Sequence, residues 1–174
     1  IAMLPLKPLH EHARIKRAIV STYQAVSGAG IPGLGELRTQ TRRVLDGVPI
    51  EPSVFSHQIA FNLIPQIDAF EPNGYTHEEM KMLNEGRKIL ACPDLMVNCT
   101  CIRVPVFRSH SESITIETER KLTPDQARKL LAAAPGVKLV DDPDNRLYPM
   151  PLDTTGQDLV FVGRIREDIS TDGN

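Results

Sequence analysis

The chain has 174 residues, enough for one hydrophobic core, and its 41% hydrophobic and 24% charged residues are typical of a soluble globular protein. No apolar run approaches the length of a membrane-spanning helix, so we expect no membrane partner. The formal net charge of −2 argues against a nucleic-acid partner, because domains that bind nucleic acid usually carry an excess of basic residues.

The first part of the chain predicts the end of a helix, a strand and a surface helix. Residues 1–10 resemble a helix that Pro5 and Pro8 would terminate. Residues 14–24 are rich in β-branched side chains and lead into the turn-forming sequence Ser-Gly-Ala-Gly, as expected of a strand. Residues 34–45 carry apolar side chains at wide intervals among charged ones, which indicates a helix on the surface.

The middle of the chain predicts a loop and a capped helix. Residues 50–65 are expected to form a loop with a short strand near 59–64. Thr76 precedes two glutamates and is a suitable N-cap, and acidic residues in a first turn interact favourably with the helix dipole. We therefore expect a helix that begins after Thr76 and ends near Leu90.

The rest of the chain predicts two long strands, a helix with a threonine N-cap and two short strands, at 95–106, 112–119, 124–134, 137–140 and 159–165. In the second long strand, serine and threonine alternate with isoleucine, so one face is apolar and the other polar. This order predicts an α+β fold with a mixed, mostly antiparallel sheet and helices on one face.

The cysteines Cys92, Cys99 and Cys101 are odd in number, and their Cys-x-Cys spacing differs from the Cys-x-x-Cys spacing of zinc and redox sites. We therefore expect reduced thiols, no metal site and a cytoplasmic protein.

Several blocks of the sequence match one family in the same order. They are R-I-K-R-A-I-V-S-T-Y-Q-A-V-S-G-A-G at 14–30, E-E-M-K-M at 78–82, C-I-R-V-P-V at 101–106, S-H-S at 109–111, Y-P-M-P at 148–151 and V-G-R-I-R at 162–166. Together these blocks resemble the C-terminal half of aspartate-semialdehyde dehydrogenases, and S-T-Y-Q-A-V-S-G-A-G is the most specific of them.

The resemblance implies that residues 1–174 form a substrate-binding and dimerisation domain with the fold of the C-terminal domain of glyceraldehyde-3-phosphate dehydrogenase-like enzymes. It implies a homodimer that reduces β-aspartyl phosphate to aspartate semialdehyde with NADPH and releases phosphate. This reaction belongs to the biosynthesis of lysine through diaminopimelate, and of threonine, methionine and isoleucine.

The family's nucleophilic cysteine lies in an N-C-[ST]-T-like turn just before the helix that leads into K-P-L-H, which stands here at 7–10. That turn would lie about three residues before Ile1, so we expect the NADP-binding domain, the cysteine turn and the C-terminal closing segment to lie outside this chain. None of the cysteines at 92, 99 and 101 matches the nucleophile. The chain by itself is therefore expected to be inactive.

The resemblance assigns His110 as the acid/base, a task suited to imidazole because its pKa lies near neutral pH. It assigns Gln24 to orient the reacting carbonyl. Ser27 and Gly28 match the place where relatives approach the nicotinamide, and glycine permits a close approach of backbone. Many relatives have glycine where this chain has Ser109.

The resemblance also implies three substrate contacts. Arg103 matches the arginine that binds the substrate α-carboxylate, for which a planar guanidinium is suited. Glu78 is assigned to the substrate ammonium and Lys81 to its phosphate. These two lie three apart on one face of the predicted helix, whereas Glu79 does not keep this spacing.

Each of these residues has an ordinary structural alternative on sequence alone. His110 could be a solvated histidine, Arg103 could pair with a nearby acid, and Glu78 and Lys81 could form a surface ion pair. The amide of Gln24 could simply end a strand, and the glycines could form a simple turn.

The spacing of Arg103 and His110 adds a geometric condition. Residues seven apart on a regular strand point to opposite faces, so the two can share a site only if the backbone bends between them. Pro105 favours such a bend.

Two other functions stay open at this point. One is a dimerising paralogue without catalysis. The other is an N-acetylglutamyl-phosphate reductase, which shares the thioester chemistry but has an acylated substrate amine that does not require Glu78.

Overall fold

A three-stranded sheet forms the centre of the computed structural model, which describes residues 1–171. Its strands are β1 (Ile15–Gln24), β2 (Met96–Arg103) and β3 (Ser111–Thr118), in the order β2-β1-β3. β1 pairs with β2 in parallel and with β3 antiparallel. β1 is therefore the central strand, and β2 and β3 lie on either side of it.

One face of this sheet is buried. Val20 lies beside Cys99 of β2 and Ile114 of β3, and all three contribute to the apolar core. The opposite face includes Ile19 and Tyr23, whose side chains are exposed. The alternation expected of β3 is confirmed over residues 113–116, because Ile114 and Ile116 pack on the core while Ser113 and Thr115 are exposed.

Three helices cover the buried face of the sheet. They are α1 (Met3–Ala13), α3 (His77–Ile89) and α4 (Pro124–Ala133), which contribute apolar side chains to the same core as the strands. The expected helices on one face of an α+β fold are confirmed. Within the described residues 1–171, no helix combines the length and apolar character needed to cross a membrane.

A second helical unit packs beyond the end of β1. A single 3-10 turn (Val26–Ala29) leads into α2 (Gly30–Leu45), and the side chains of Val26, Leu37 and Ile59 form a separate small core there. The remaining elements are a short helix α5 (Pro151–Thr154) and a parallel two-stranded sheet of β4 (Val137–Leu139) and β5 (Val160–Val162).

The caps of α3 and α4 are confirmed. The side chains of Thr76 and Thr123 each accept a hydrogen bond from the backbone N–H three residues later. The side chains of Glu79 and Gln126 in turn accept one from the backbone N–H of the cap residue. Both are capping boxes, which depend only on residues close in sequence.

The expectation that Pro5 and Pro8 end the first helix is wrong, because α1 continues to Ala13. Pro5 lies in the first turn, where a missing N–H has no intrahelical partner to lose. Pro8 lies inside the helix, but Leu6 and Leu9 on either side of it are buried in the core, which offsets the lost hydrogen bond.

The short strand expected at 59–64 does not form. Ile64 makes only an isolated bridge to Arg103. The N–H groups of Ile59 and Ala60 are instead bound by the side chain of Gln40, and Phe61 has a positive φ of 58°. The start of this segment is therefore bound by α2, while Ile64 at its end exchanges two backbone hydrogen bonds with Arg103.

The expected mixed sheet is confirmed, since β1 pairs in parallel with β2 and antiparallel with β3. The expected antiparallel majority is wrong for the described strands, because β4 and β5 also pair in parallel. The cause of the parallel pairing of β1 with β2 is the long connection between them. It contains α2 and α3 and brings the chain back to the start of the sheet, as parallel pairing requires.

Gly163 provides a stability test of the segment around β5. A Cβ at this position would lie 2.1 Å from the backbone oxygen of Val140 and 2.6 Å from Cδ of Pro149. Because a backbone atom is in the way, Gly163→Ala should lower the free energy of unfolding by about 1–3 kcal/mol, measured by urea denaturation. Gly35→Ala is the control, since a Cβ there meets nothing within 4 Å. Equal effects of the two substitutions would contradict this packing.

Candidate active site

The site begins where β1 and β2 end. Gln24 is the last residue of β1, Arg103 is the last residue of β2, and the parallel register makes them direct neighbours. Both side chains are buried, on the face of the sheet that packs against the helices. Parallel strands end at the same edge of a sheet, and this edge therefore carries an amide and a guanidinium side by side.

The guanidinium of Arg103 is held by one carbonyl and one aromatic ring. Its Nη1 donates to the backbone oxygen of Ala25 at 2.9 Å, and its Cζ lies 5.9 Å from the centroid of the Phe55 ring. Burial lowers the pKa of Arg103, although the negative charge of Glu78 opposes this. Within residues 1–171 Arg103 forms no salt bridge, so its remaining donors are available to a carboxylate.

The backbone between Arg103 and His110 is irregular, as their common site requires. β2 ends at Arg103, the N–H of Val106 bonds back to the oxygen of Val104 at 2.8 Å, and β3 begins only at Ser111. Ser109 has a φ of 71°, a conformation that glycine favours. The expected bend is therefore confirmed.

His110 lies beside Arg103. Burial lowers the pKa of His110, and the positive charge of Arg103 lowers it further, while Glu78 acts in the opposite direction. A lowered pKa keeps the imidazole neutral at neutral pH, so that one ring nitrogen can accept a proton.

Gly28 brings the backbone of the 3-10 turn against both residues. A Cβ at position 28 would lie 2.8 Å from Nη1 of Arg103 and 3.4 Å from Nε2 of His110. Here glycine is needed for close approach rather than for an unusual φ. The N–H of the preceding Ser27 is bound by the oxygen of Phe107 at 3.1 Å, which ties this turn to the loop that carries His110.

Glu78 connects the sheet edge to α3. Its carboxylate accepts from Nε2 of Gln24 at 3.0 Å and from Nζ of Lys81 at 3.0 Å. Burial raises the pKa of Glu78, but the hydrogen bonds from Gln24 and Lys81 outweigh it, so the pKa lies below its ordinary value. The Lys81 ammonium, whose pKa is raised by Glu78, also lies 3.9 Å from Asp68.

The carboxylate of Glu79, the neighbour of Glu78, accepts structural hydrogen bonds from the backbone. Its Oε2 accepts from the N–H of Thr76 at 2.7 Å and its Oε1 accepts from the N–H of Cys101 at 2.9 Å. The structure therefore brings Gln24, Glu78, Arg103 and His110 together, and it leaves Glu79 outside the cluster as a structural residue.

The cysteines are buried thiols. Sγ of Cys99 and Sγ of Cys101 are 3.7 Å apart, and the hydrogen bond between them together with burial raises the pKa of Cys99. Burial likewise raises the pKa of Cys92. The hydrogen bond with Cys99 lowers the pKa of Cys101, but all three thiols are buried and so are poorly placed to act as nucleophiles. Within residues 1–171, no three His, Cys, Asp or Glu side chains are grouped as a metal ion would require.

Three side chains near the site were missed by sequence reasoning. Phe55 contacts Arg103 and Asp68 lies near Lys81, and both contacts are long-range and leave no signal in the sequence. Glu112 shares a groove of about 1060 Å³ with Ile1 and His110, and burial raises its pKa. Its position two residues after His110, on an alternating strand, was a usable signal.

The fold is α+β, and a cation, a carboxylate, an amide and a histidine are gathered where its strands end. This edge of the sheet is therefore a candidate small-molecule site. The family model described as "Semialdehyde dehydrogenase, dimerisation domain" matches residues 6–173, and the chain belongs to this family.

Curated relatives agree with this membership. The chain is 51% identical over 167 residues to an aspartate-semialdehyde dehydrogenase of Aquifex aeolicus, covering 95% of this chain and 49% of that protein. It is 51% identical over 172 residues to one of Bacillus subtilis, covering 94% of this chain and 50% of that protein. The chain therefore spans about half the length of the curated relatives it matches.

Solved structures give the same result. Aspartate semialdehyde dehydrogenase II of Vibrio cholerae, in a complex with ASA, is 46% identical with a TM-score of 0.95, covering 99% of this chain and 51% of that one. An enzyme of the same name from Candida albicans, described with NADP, is 25% identical with a TM-score of 0.65, covering 94% of this chain and 45% of that one.

The electrostatic coupling in this site can be measured. Arg103→Leu should raise the pKa of His110, because it removes the positive charge that disfavours the imidazolium, whereas Arg103→Lys should leave the pKa low. An NMR titration of the histidine ring protons reads this directly. His10 is an internal control, since its pKa is lowered by burial and by Arg14 rather than by Arg103. An unchanged His110 titration in Arg103→Leu would contradict the contact.

Proposed function

We propose that this chain is the substrate-binding and dimerisation domain of an aspartate-semialdehyde dehydrogenase, which reduces β-aspartyl phosphate to aspartate semialdehyde with NADPH and releases phosphate. The nucleophile in this proposal is a cysteine in residues that precede Ile1, as the family resemblance implies. The observation that carries the proposal is Arg103, a buried guanidinium that has no salt bridge in the described residues and lies beside a neutral histidine.

Arg103 binds the α-carboxylate of the substrate in this proposal. A buried guanidinium is costly without an anionic partner, and a bidentate carboxylate would supply one. Ala25 occupies one donor and the Phe55 ring covers part of the planar group, so the free edge defines where the carboxylate can sit.

Glu78 binds the substrate ammonium, and Lys81 binds the phosphate group. The lowered pKa of Glu78 supports this role, because the carboxylate is ionised at neutral pH. Its present bond to Lys81 is exposed and worth little, so a substrate ammonium and phosphate can replace it at small cost.

His110 moves the proton. Its lowered pKa makes it a proton acceptor near neutral pH, and it can return that proton when the bond to sulfur breaks. Gln24 presents an amide at the same edge, and its Oε1 is buried without a partner in the described residues. Because Nε2 is held by Glu78, Oε1 keeps a fixed position in which it can accept a hydrogen bond from the reacting group.

Ser27 and Gly28 are proposed to lie next to the nicotinamide, and the space at Gly28 supports this. A Cβ at Gly28 would fill the space against Arg103 and His110, so glycine keeps open the space above the site. When bound, NADPH would supply the hydride. The residues of this chain would orient the substrate and hold its charges.

An assay of the full-length protein tests the proposal. It should catalyse phosphate-dependent reduction of NADP by aspartate semialdehyde, and Arg103→Leu should lower kcat/KM for the semialdehyde by about 30-fold or more with little change in cofactor affinity. Arg42→Leu, at an exposed arginine of α2, is the matched control.

Three results would contradict the proposal. A preference for N-acetylglutamate semialdehyde would favour the related reductase, and no turnover would favour a non-catalytic dimerising domain. Activity of residues 1–174 alone would overturn the assignment of the nucleophile to the preceding residues.

We further propose that the domain forms a homodimer through the exposed face of its sheet. Ile19, Tyr23 and Met96 on this face are 41%, 40% and 53% exposed, which is unusual for large apolar side chains on adjacent strands. Ile19→Glu should convert the dimer to a monomer in sedimentation velocity. Ile31→Glu, at an apolar side chain of α2 that is 85% exposed, should leave the dimer intact. A wild-type monomer at high micromolar concentration would exclude this interface.

A further inference from the structure

Two buried polar side chains of α2, Glu36 and Gln40, bind the backbone of a neighbouring loop. Glu36 accepts hydrogen bonds from the N–H groups of Ser53 and Val54 and from the Ser53 hydroxyl, the last at 2.9 Å. Gln40 accepts from the N–H groups of Ile59 and Ala60 at 2.8 and 3.1 Å. We name residues 53–60 the Phe55 loop.

Glu36 and Gln40 also bind each other, because Nε2 of Gln40 donates to Oε1 of Glu36 at 2.8 Å. Their exposed fractions are 8% and 2%, so neither side chain can exchange its bonds for water. A buried carboxylate is tolerated only when its oxygens are hydrogen-bonded, and here the loop backbone supplies the donors. The pair therefore holds both ends of the Phe55 loop against α2.

The loop, held in this way, places the ring of Phe55 against the guanidinium of Arg103. The ring packs on one side against α2, where a Cβ at Gly33 would lie only 3.2 Å from Cζ of Phe55. On the other side its centroid lies 5.9 Å from Cζ of Arg103. A Cβ at position 33 would also lie 2.6 Å from the backbone oxygen of Val26, so glycine is needed where α2 approaches the ring.

The Phe55 loop also closes one side of a cavity next to Arg103. This cavity has a volume of about 240 Å³, and Val54, Phe55 and Ser56 from the loop face Asp68 and Arg103 across it. Without the ring, the guanidinium would have space to swing into this cavity and away from Gly28.

We propose that Phe55 is a positioning residue for Arg103, and that Glu36 and Gln40 hold Phe55 in place from α2. The ring and the Ala25 carbonyl together set the plane of the guanidinium. The catalytic consequence rests on the proposed function, in which Arg103 binds the substrate carboxylate. The geometric part concerns Arg103 alone and can be tested without catalysis.

The experiment compares Phe55→Leu, Phe55→Trp and Glu36→Gln with Phe61→Leu, a matched control at a phenylalanine that is 64% exposed. In the full-length protein, Phe55→Leu should raise KM for the semialdehyde by roughly 3- to 30-fold, the range of a cation–π contact, with a smaller change in kcat. Phe55→Trp keeps an aromatic face and should restore much of the wild-type KM. Phe61→Leu should have no effect.

The second readout is the Nε–H signal of Arg103 by NMR, together with the affinity for L-aspartate as a carboxylate probe. The Phe55 ring current should shift this signal in the wild type, and Phe55→Leu and Glu36→Gln should both remove the shift and weaken L-aspartate binding. Should Glu36→Gln fail to fold, Phe55→Leu decides the question.

The two proposals fail in different ways. A wild-type protein without turnover would contradict the proposed function. The Nε–H shift and the L-aspartate affinity would still test whether Phe55 positions Arg103. An Arg103 signal that does not respond to Phe55→Leu, or an unchanged KM in an active enzyme, would overturn the positioning role.

Discussion

The site depends on how the first turn of α3 is held against β2. The buried carboxylate of Glu79 accepts the N–H of Thr76 at the start of the helix and the N–H of Cys101 in the strand. One side chain thereby caps the helix and ties it to a strand residue two positions before Arg103. Glu78, the adjacent residue, therefore lies at the end of the sheet, where its carboxylate accepts a hydrogen bond from Gln24.

The electrostatics of the site follow from this arrangement. Glu78 stays ionised because hydrogen bonds and nearby cations outweigh its burial, and Arg103 keeps its charge in a buried position with Glu78 nearby. Burial lowers the pKa of His110, and the same cation lowers it further. A neutral histidine beside a guanidinium that forms no salt bridge within residues 1–171 suits a reaction in which a carboxylate must be bound while a proton moves at a neighbouring atom.

Features set by short-range chemistry were predictable from the sequence. The caps at Thr76 and Thr123 and the apolar face of β3 depend on residues within a few positions of one another. The distinction between Glu78 and Glu79 followed from helical spacing. The need for a bend before His110 followed from strand parity alone. The family motifs identified the candidate residues, which periodicity could not have done.

Only the tertiary structure decided features that depend on contacts distant in the sequence. α1 passes through Pro8 because burial of its leucines outweighs one lost hydrogen bond, and β1 pairs with β2 in parallel because the connection between them returns to the start of the sheet. Phe55 reaches Arg103 through polar anchors on α2, a contact across many residues that no local pattern encodes. The sequence by itself thus determined the capped helices, the alternation in β3 and the identity of the candidate residues. The convergence of the candidate residues on one site came from tertiary packing. The interactions that stabilise this arrangement are shared among residues far apart in the chain.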